Sequence, residues 1–324
     1  MIQYLKHNEI DKKKWNDCID HSVNNLIYSY SWYLDIVCPN WNALLEDDYT
    51  SIMPLTAGKK YGIDYLYPPY FAQQLGIFSK EKLSQEKVEE FLNAIPLQYK
   101  FIEIYLNTKN TFDPDRYRDS GFEIKKNINI ELDLNSSYEE LYKRLSHDAK
   151  RNIKKAIKNK LYIQKNISPS LLIQLFRQNT GKKITGIKTK NYKILLALIT
   201  TCMEKGYAEV WGAFTQEKKL CAAVAWLIKN NRVIFLFSAT NREAKKASAM
   251  FYVVDRFIYE HAGTNMILDF EGSNLPGVAK FYKDFGSKEY VYLQIRMNNL
   301  PKFVRWIYEK QKHPIHIQTN KLPS

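Results

Sequence analysis

The stretch LDFEGSNLPGVAKFYKDFGS, residues 268–287, decides how the chain is read, because it passes from strand to helix around a short turn. Its first part closes the apolar run NMILDFEG at 265–272. Gly272-Ser273-Asn274 turns the chain, and LPGVAKFYKDFG at 275–286 has the proline near its start and the glycine at its end that bound a helix. A strand, YVYLQIR at 290–296, follows. Upstream, a helix over 244–261 sets Met250, Val254, Phe257, Ile258 and His261 on one side and stops at Gly263. Before it stand three β runs, AEVWGAFT at 208–215, CAAVAWLIK at 221–229 and VIFLFSAT at 233–240, whose short connections predict an antiparallel meander. Further upstream lie a helix over 190–205 closing at Gly206, a helix from the Ser168-Pro169 start to 178, and the strand LYIQKNI at 161–167. From that strand onward the order is β, α, α, β, β, β, α, β, α, β. This is an α/β arrangement on a mixed sheet.

The first part of the chain is also mixed. It has β-like runs ALLEDD, TSIMPLT and IDYLYPPYFAQQLGIF between residues 42 and 78, a helix over 84–94, FIEIYLN at 101–107 and the alternating NINIELDL at 127–134. In the last of these Ile128, Ile130, Leu132 and Leu134 share a face. Both parts follow a scheme of meander, helix and strand, so a duplicated fold is expected although no residue-level repeat is visible. With 324 residues the chain exceeds what one core usually holds, and the expected division is 1–135, 136–298 and a C-terminal helix and tail at 299–324. Hydrophobic residues at 45% and charged residues at 25% exclude disordered and low-complexity classes.

Charge divides the chain at the same place. Residues 1–135 hold 15 Lys or Arg against 20 Asp or Glu, whereas residues 136–324 hold 33 against 14, a balance of +19. A field of that sign concentrates phosphates, RNA or anionic membrane surfaces. The densest part, YKRLSHDAKRNIKKAIKNK at 142–160, has eight basic residues and one acid, Asp148. At helical period Leu141, Leu145, Ala149, Ile153 and Ile157 make an apolar stripe, leaving Lys150, Arg151, Lys154, Lys155 and Lys158 on the outer face. Such a face is either an ordinary solvated surface or a contact for phosphate, RNA or membrane. The lack of glutamate at i±4 distinguishes it from an ordinary surface helix.

Cys18, Cys38, Cys202 and Cys221 stand far apart without C-x-x-C spacing, which predicts reduced, packed thiols and excludes a disulfide framework. The His313-x-x-His316 pair has no thiol or carboxylate near it in sequence, so no metal is expected. No apolar run reaches a membrane-spanning length, and the N-terminus is unlike a leader, so the chain is expected to be soluble and cytoplasmic.

The strand and helix order resembles the GCN5-related N-acetyltransferase (GNAT) fold, and Asn274 followed by Phe281-Tyr282-Lys283-Asp284-Phe285-Gly286 is similar to the N...YEK.GF segment of those enzymes, with one extra residue between Asn and Tyr. Together with LSHDAKRNIKKAIKN at 145–159 and the W...I..S.....YSYSWYL pattern at 15–34, the chain resembles tandem GNAT-like proteins related to the Fem-type aminoacyl-tRNA-dependent transferases of peptidoglycan bridge synthesis. The resemblance implies two tandem acyl-CoA N-acyltransferase-like folds. It also implies a transferase moving an acyl or aminoacyl group from acyl-CoA or aminoacyl-tRNA to an amine, on a small molecule or a cell-wall precursor.

Acyl transfer to an amine needs a deprotonated amine, a polarised carbonyl and an acid for the leaving group. Glu271, at the end of the strand where the resemblance implies that the sheet opens, is the candidate base or amine-orienting carboxylate. Asp269, one position deeper on the same face, is a second candidate. Each reads equally as a structural carboxylate. Tyr282 matches the tyrosine that protonates the leaving thiolate in several such enzymes, or it simply packs beside Phe281 and Phe285. For the donor the resemblance implies Q/R-x-x-G-x-G/A at the start of the central helix, cradling a pyrophosphate. Here the chain reads Arg242-Glu243-Ala244-Lys245-Lys246-Ala247-Ser248, so Arg242 and Ala247 fit, no glycine is present, and Lys245 takes the first glycine's place. Arg242, Lys245, Lys246, Ala247, Ser248 and Asn274 are the donor candidates, and the departure shifts weight from coenzyme A toward a tRNA held by Lys150, Arg151, Lys154, Lys155 and Lys158. Tyr67, Tyr70, Gln73 and Gln74 offer stacking and hydrogen bonding for an acceptor, or a plain aromatic core. The rival from another class is a non-catalytic RNA- or polyanion-binding protein that retains the fold.

Overall fold

The computed structural model describes residues 1–114, 121–184, 187–273, 275–301 and 305. Along the chain run β1 (Ile2–Leu5), α1 (Lys12–His21), α2 (Ser31–Val37), β2 (Asn42–Glu46), β3 (Ser51–Leu55), β4 (Ala57–Lys60), β5 (Ile63–Leu66), β6 (Phe78–Ser79), α3 (Gln85–Asn93), β7 (Tyr99–Tyr105) and β8 (Glu123–Asp133). Then come α4 (Tyr138–Arg144), α5 (His147–Lys158), β9 (Tyr162–Gln164), α6 (Pro169–Gln178), α7 (Thr189–Glu204), β10 (Ala208–Phe214), β11 (Leu220–Lys229), β12 (Arg232–Thr240), α8 (Arg242–Ala247), α9 (Ala249–His261), β13 (Ile267–Asp269), α10 (Pro276–Lys283) and β14 (Lys288–Asn298). The helix expected after residue 300 and the His313/His316 pair lie outside the described residues.

Helix starts follow local chemistry. The side chains of Asp11, Ser84, Ser137, Ser146, Ser168 and Asn241 each accept a hydrogen bond from a first-turn amide of the helix that follows. Each such cap is worth about 1 kcal/mol. Ser146 also explains a difference from the sequence reading. The basic segment is two helices, because Leu145 leaves helical geometry and Ser146 starts α5 by capping the amide of Ala149. The new phase buries Ala156 and leaves Ile157 57% exposed. The helix read over 244–261 is likewise two, with Ser248 in left-handed geometry at φ 60° between α8 and α9.

Two compact units result. One comprises Met1–Asn127 with the strand from Val291, and the other comprises Ile128–Tyr290. In the first, β1, β2, β3 and β6 pair in that order, and β4, β5, β7 and β14 form a second set in which β14 is antiparallel to β7. Its core joins Leu44, Met53, Leu66, Phe91 and Ile102 to Leu293 and Ile295 of β14. In the second unit the order is β8-β13-β12-β11-β10-β9, and β8 brings Ile130, Leu132 and Leu134 into its core. The first core is thus completed by β14, which is distant in sequence from the rest of that unit, and the second by the end of β8, which opens the segment 128–290.

The sheet of the second unit is covered on both faces. Phe257 of α9 stacks on Trp226 at 4.1 Å between ring centres, and Tyr282 of α10 meets Phe235 edge-on at 5.7 Å. On the opposite face Phe176 of α6 packs against Phe237 at 4.6 Å. Burial from both sides explains why β11 and β12 read as unbroken apolar runs.

Candidate functional site

The site begins where two parallel strands stop pairing. β12 and β13 are matched only at Arg232 with Ile267, Val233 with Leu268 and Ile234 with Asp269. β12 then runs on through Phe235–Thr240, paired only with β11 among the described residues. Along that pairing Ala225 faces Phe237 and Trp226 faces Phe235, so Leu236 is the extra residue of a bulge at the point of parting. Bulges re-aim a strand in this way beside functional sites. β13 meanwhile turns away, and the Phe270 amide donates to Ile130 O of β8 at 2.9 Å.

Two consecutive left-handed residues make the departure. Glu271 has φ 58° and Gly272 has φ 56°. The Glu271 amide is fixed by a 2.8 Å hydrogen bond to Asp269 Oδ1. A Cβ on Gly272 would lie 2.1 Å from Ile128 O, so the turn also needs a residue without a side chain.

Asp269 is held from its other oxygen. Arg232 Nη1 donates to Asp269 Oδ2 at 2.6 Å and to Glu131 Oε1 at 2.8 Å, and Asn129 Nδ2 donates to Glu131 Oε1 at 2.9 Å. Burial, with a second carboxylate sharing the one guanidinium, raises the Asp269 carboxyl above the usual range against the pull of Arg232. The Glu131-Arg232-Asp269 cluster went unseen in the sequence, because its members are far apart along the chain and only strand register brings them together.

Glu271 is buried, and Tyr282 is fully buried. The Tyr282 ring stacks on Phe270 at 4.7 Å, and its hydroxyl has no hydrogen-bond partner among the described residues. Burial pushes the phenol well above its ordinary value, and the nearby Glu271 carboxylate adds to the shift. Structure therefore brings Glu271 and Tyr282 together electrostatically and commits Asp269 to the Glu271 amide and the ion-pair cluster.

A cleft of about 300 Å³ opens between the end of β12, the α8–α9 junction and α10. Lys245, Ser248, Phe251, Gly277, Lys280 and Asp284 are among its lining residues, whereas Arg242, Lys246, Ala247, Glu271 and Tyr282 are not. Asn274 lies outside the described residues. The Ala244 amide is taken by Asn241 Oδ1 at 2.8 Å, so α8 is an ordinary capped turn, not a loop of open amides. Ser248 donates instead to Asn152 Oδ1 at 2.7 Å and leaves the start of α9 without a side-chain cap beside the cleft. Lys280 is shared by Asp148 and Asp284 at 3.0 Å each. Gly277 went unnoticed in the sequence, although no other atom lies within 4 Å of where its Cβ would be.

The basic face of α5 is only partly committed. Arg151 pairs with Asp148 at 2.9 Å, and Lys150 donates to Lys143 O at 2.9 Å, whereas Lys154, Lys155 and Lys158 are exposed with no ion pair among the described residues.

In the first unit Tyr67 donates to Cys38 Sγ at 3.7 Å, and burial raises the phenols of Tyr67 and Tyr70. Gln74 Nε2 donates to Gln73 Oε1 at 2.9 Å, while Gln74 Oε1 accepts from the Thr108 amide. The cavity there, which Gln73 helps line, measures about 10 Å³, room for a water molecule. Among the described residues no group of three or more His, Cys, Asp or Glu could hold a metal, and no helix is long and apolar enough to cross a membrane.

Similar solved structures share this architecture over nearly the whole chain. FemX covers 95% of this chain and 99% of its own at 11% identity with a TM-score of 0.65. A tandem GNAT protein from the clavulanic acid biosynthesis pathway covers 93% and 100% at 9% identity with a TM-score of 0.51. The fold is a tandem GNAT fold. It is related in structure to FemX and to the C-terminal domain of a putative lysylphosphatidylglycerol synthetase from Agrobacterium fabrum, with 10% identity, 91% and 95% coverage and a TM-score of 0.54. No protein-family model and no curated protein sequence matches the chain. In this GNAT fold the parted pair β12 and β13 occupies the place that the sequence resemblance implied for the opening of the sheet.

Proposed function

We propose that the protein is an acyl or aminoacyl transferase that moves an acyl group to an amine, with its donor in the cleft of the second unit. The observation that carries this reading is the bulge at Leu236, with β13 leaving after Asp269 next to a cleft bordered by Lys245 and Lys280. The donor carbonyl lies along the β12 edge that β13 vacates, polarised by main-chain N–H groups. Glu271 orients the amine and draws its proton as nitrogen attacks carbon. Tyr282, kept protonated by burial and by the Glu271 charge, is the acid for the leaving group, which it reaches only when its stack on Phe270 opens toward the cleft.

The capped α8 turn favours a donor held by side-chain cations over one cradled by a glycine loop. The uncommitted Lys154, Lys155 and Lys158 support an aminoacyl-tRNA over acyl-CoA. The acceptor is an amine-bearing small molecule or cell-wall precursor.

Calorimetric titration with acetyl-CoA and with charged tRNA tests the proposal on wild type and on Gly277→Phe, which adds a ring at a lining position where a Cβ meets no atom outside its own helix. One donor should bind at micromolar affinity or better and lose at least tenfold in the variant, while Glu271→Gln and Tyr282→Phe keep binding and lose turnover. Failure of both donors to bind, with generic polyanions still bound, would leave the non-catalytic reading.

A further inference from the structure

A second and larger recess lies on the opposite face of the sheet from α9 and α10. The groove between α6 and α7 has a volume of about 650 Å³ and shares no lining residue with the donor cleft. Ile173, Tyr192 and Leu196 form its apolar part, and Arg177, Lys182 and Lys193 are its cations. The pattern follows from helix period, since Ile173 and Arg177 are one turn apart on α6 and Tyr192 and Leu196 one turn apart on α7. The Arg177 guanidinium sits 5.3 Å over the Tyr192 ring. Among the described residues no acidic side chain lines the groove.

The absence of acids extends well beyond it. From Ala149 to Met203, 55 residues hold 13 Lys or Arg and no Asp or Glu. Average composition would place about six acids in such a length. Of the lining residues Leu196 is 36% exposed, and Leu171 of α6, outside the lining, is 43% exposed. A nucleic acid single strand would stack its bases on free aromatic faces, and Tyr192, the aromatic side chain that lines this groove among the described residues, has one face covered by Arg177. Cations interleaved with exposed leucine match an amphiphile whose phosphate and hydrocarbon lie a few ångströms apart.

We propose that the α6–α7 face docks on an anionic phospholipid surface. The headgroup phosphate sits among Arg177, Lys182 and Lys193, and the glycerol and first acyl carbons lie over Ile173 and Leu196. The contact is peripheral and independent of the acyl-transfer chemistry.

Cosedimentation of the full chain with phosphatidylglycerol vesicles and with phosphatidylcholine vesicles tests it. Wild type should bind the anionic vesicles and lose binding as salt rises. Replacing Arg177, Lys182 and Lys193 together by Ala should weaken binding by about 100-fold, at roughly fivefold per cation. Leu196→Asp should weaken it at low salt as well. All four side chains are exposed, and unchanged thermal unfolding verifies that the variants fold. Lys154→Ala with Lys155→Ala, on α5, should leave vesicle binding within twofold. Equal binding to phosphatidylcholine, an unaffected triple variant, or a greater loss in the α5 pair would overturn the assignment. So would single-stranded RNA binding that depends on the three cations without any binding to vesicles.

Discussion

Gly272→Ala is the most direct perturbation of the geometry that parts the sheet. Two costs add. The residue is left-handed at φ 56°, which costs an alanine about 1–2 kcal/mol. Its Cβ would stand 2.1 Å from Ile128 O, so the turn or β8 must shift by most of an ångström, at about 1–3 kcal/mol. The expected loss is about 3 kcal/mol or more. Gly206→Ala is the control in the same unit, since Gly206 is also left-handed at φ 73° but has nothing within 4 Å of its Cβ. It should lose only about 1–2 kcal/mol. Urea unfolding followed by hydrogen exchange of peptides from the second unit reads the difference. With m near ~2 kcal/mol/M, the Gly272→Ala midpoint should fall about 1 M further than the control. Equal midpoints would show that the close approach of Gly272 to β8 contributes nothing, and the account of how β13 leaves β12 would fail.

Arg232→Met leaves Glu131 and Asp269 as buried carboxylates without their guanidinium and should cost about 3–5 kcal/mol, measured by the same unfolding; a loss below about 1 kcal/mol would show that the cluster is not structural. Asp255 is buried, and desolvation holds its carboxyl above the usual range, opposed by the Tyr138 hydroxyl bonded to it at 2.8 Å and by Arg256. A raised folded-state value means that its contribution is greatest below the unfolded value of ~3.9 and is lost as pH rises. Asp255→Asn, which keeps an acceptor for Tyr138, should therefore gain stability relative to wild type between pH ~4 and ~7, and a gap that shrinks over that range would contradict the assignment. Burial pushes the thiols of Cys18 and Cys221 up to about 11 and that of Cys202 to about 12, so a thiol reagent at pH ~8 should react only after urea unfolding. A rapid native-state burst from any of them would be a counterexample.

Much of the second unit was legible from residues alone, because its signals are local. Ser168-Pro169 and Gly206 bound their helices by chemistry confined to one turn. The apolar runs of β11 and β12 report burial on both faces without reference to any partner. Tyr282 falls in α10 as its helical pattern implies, whereas Glu271, expected at the end of a strand over 265–272, instead sits in the left-handed turn that follows β13, which stops at Asp269. Local signals failed where two phases compete, as in the basic segment, where a period of four hid the break at Ser146 that a period of 3.6 with a new cap produces.

What tertiary structure alone decided is set by contacts between distant segments. Residues 131, 232 and 269 become one ion-pair cluster only because β8, β13 and β12 align in register. Which core β8 and β14 each complete depends on the strand each one pairs with, and their alternating pattern does not specify a partner. The cleft itself is a void, defined by Lys245, Gly277 and Lys280 from three separate elements. A sequence names the atoms around such a space, and only packing fixes the space left between them.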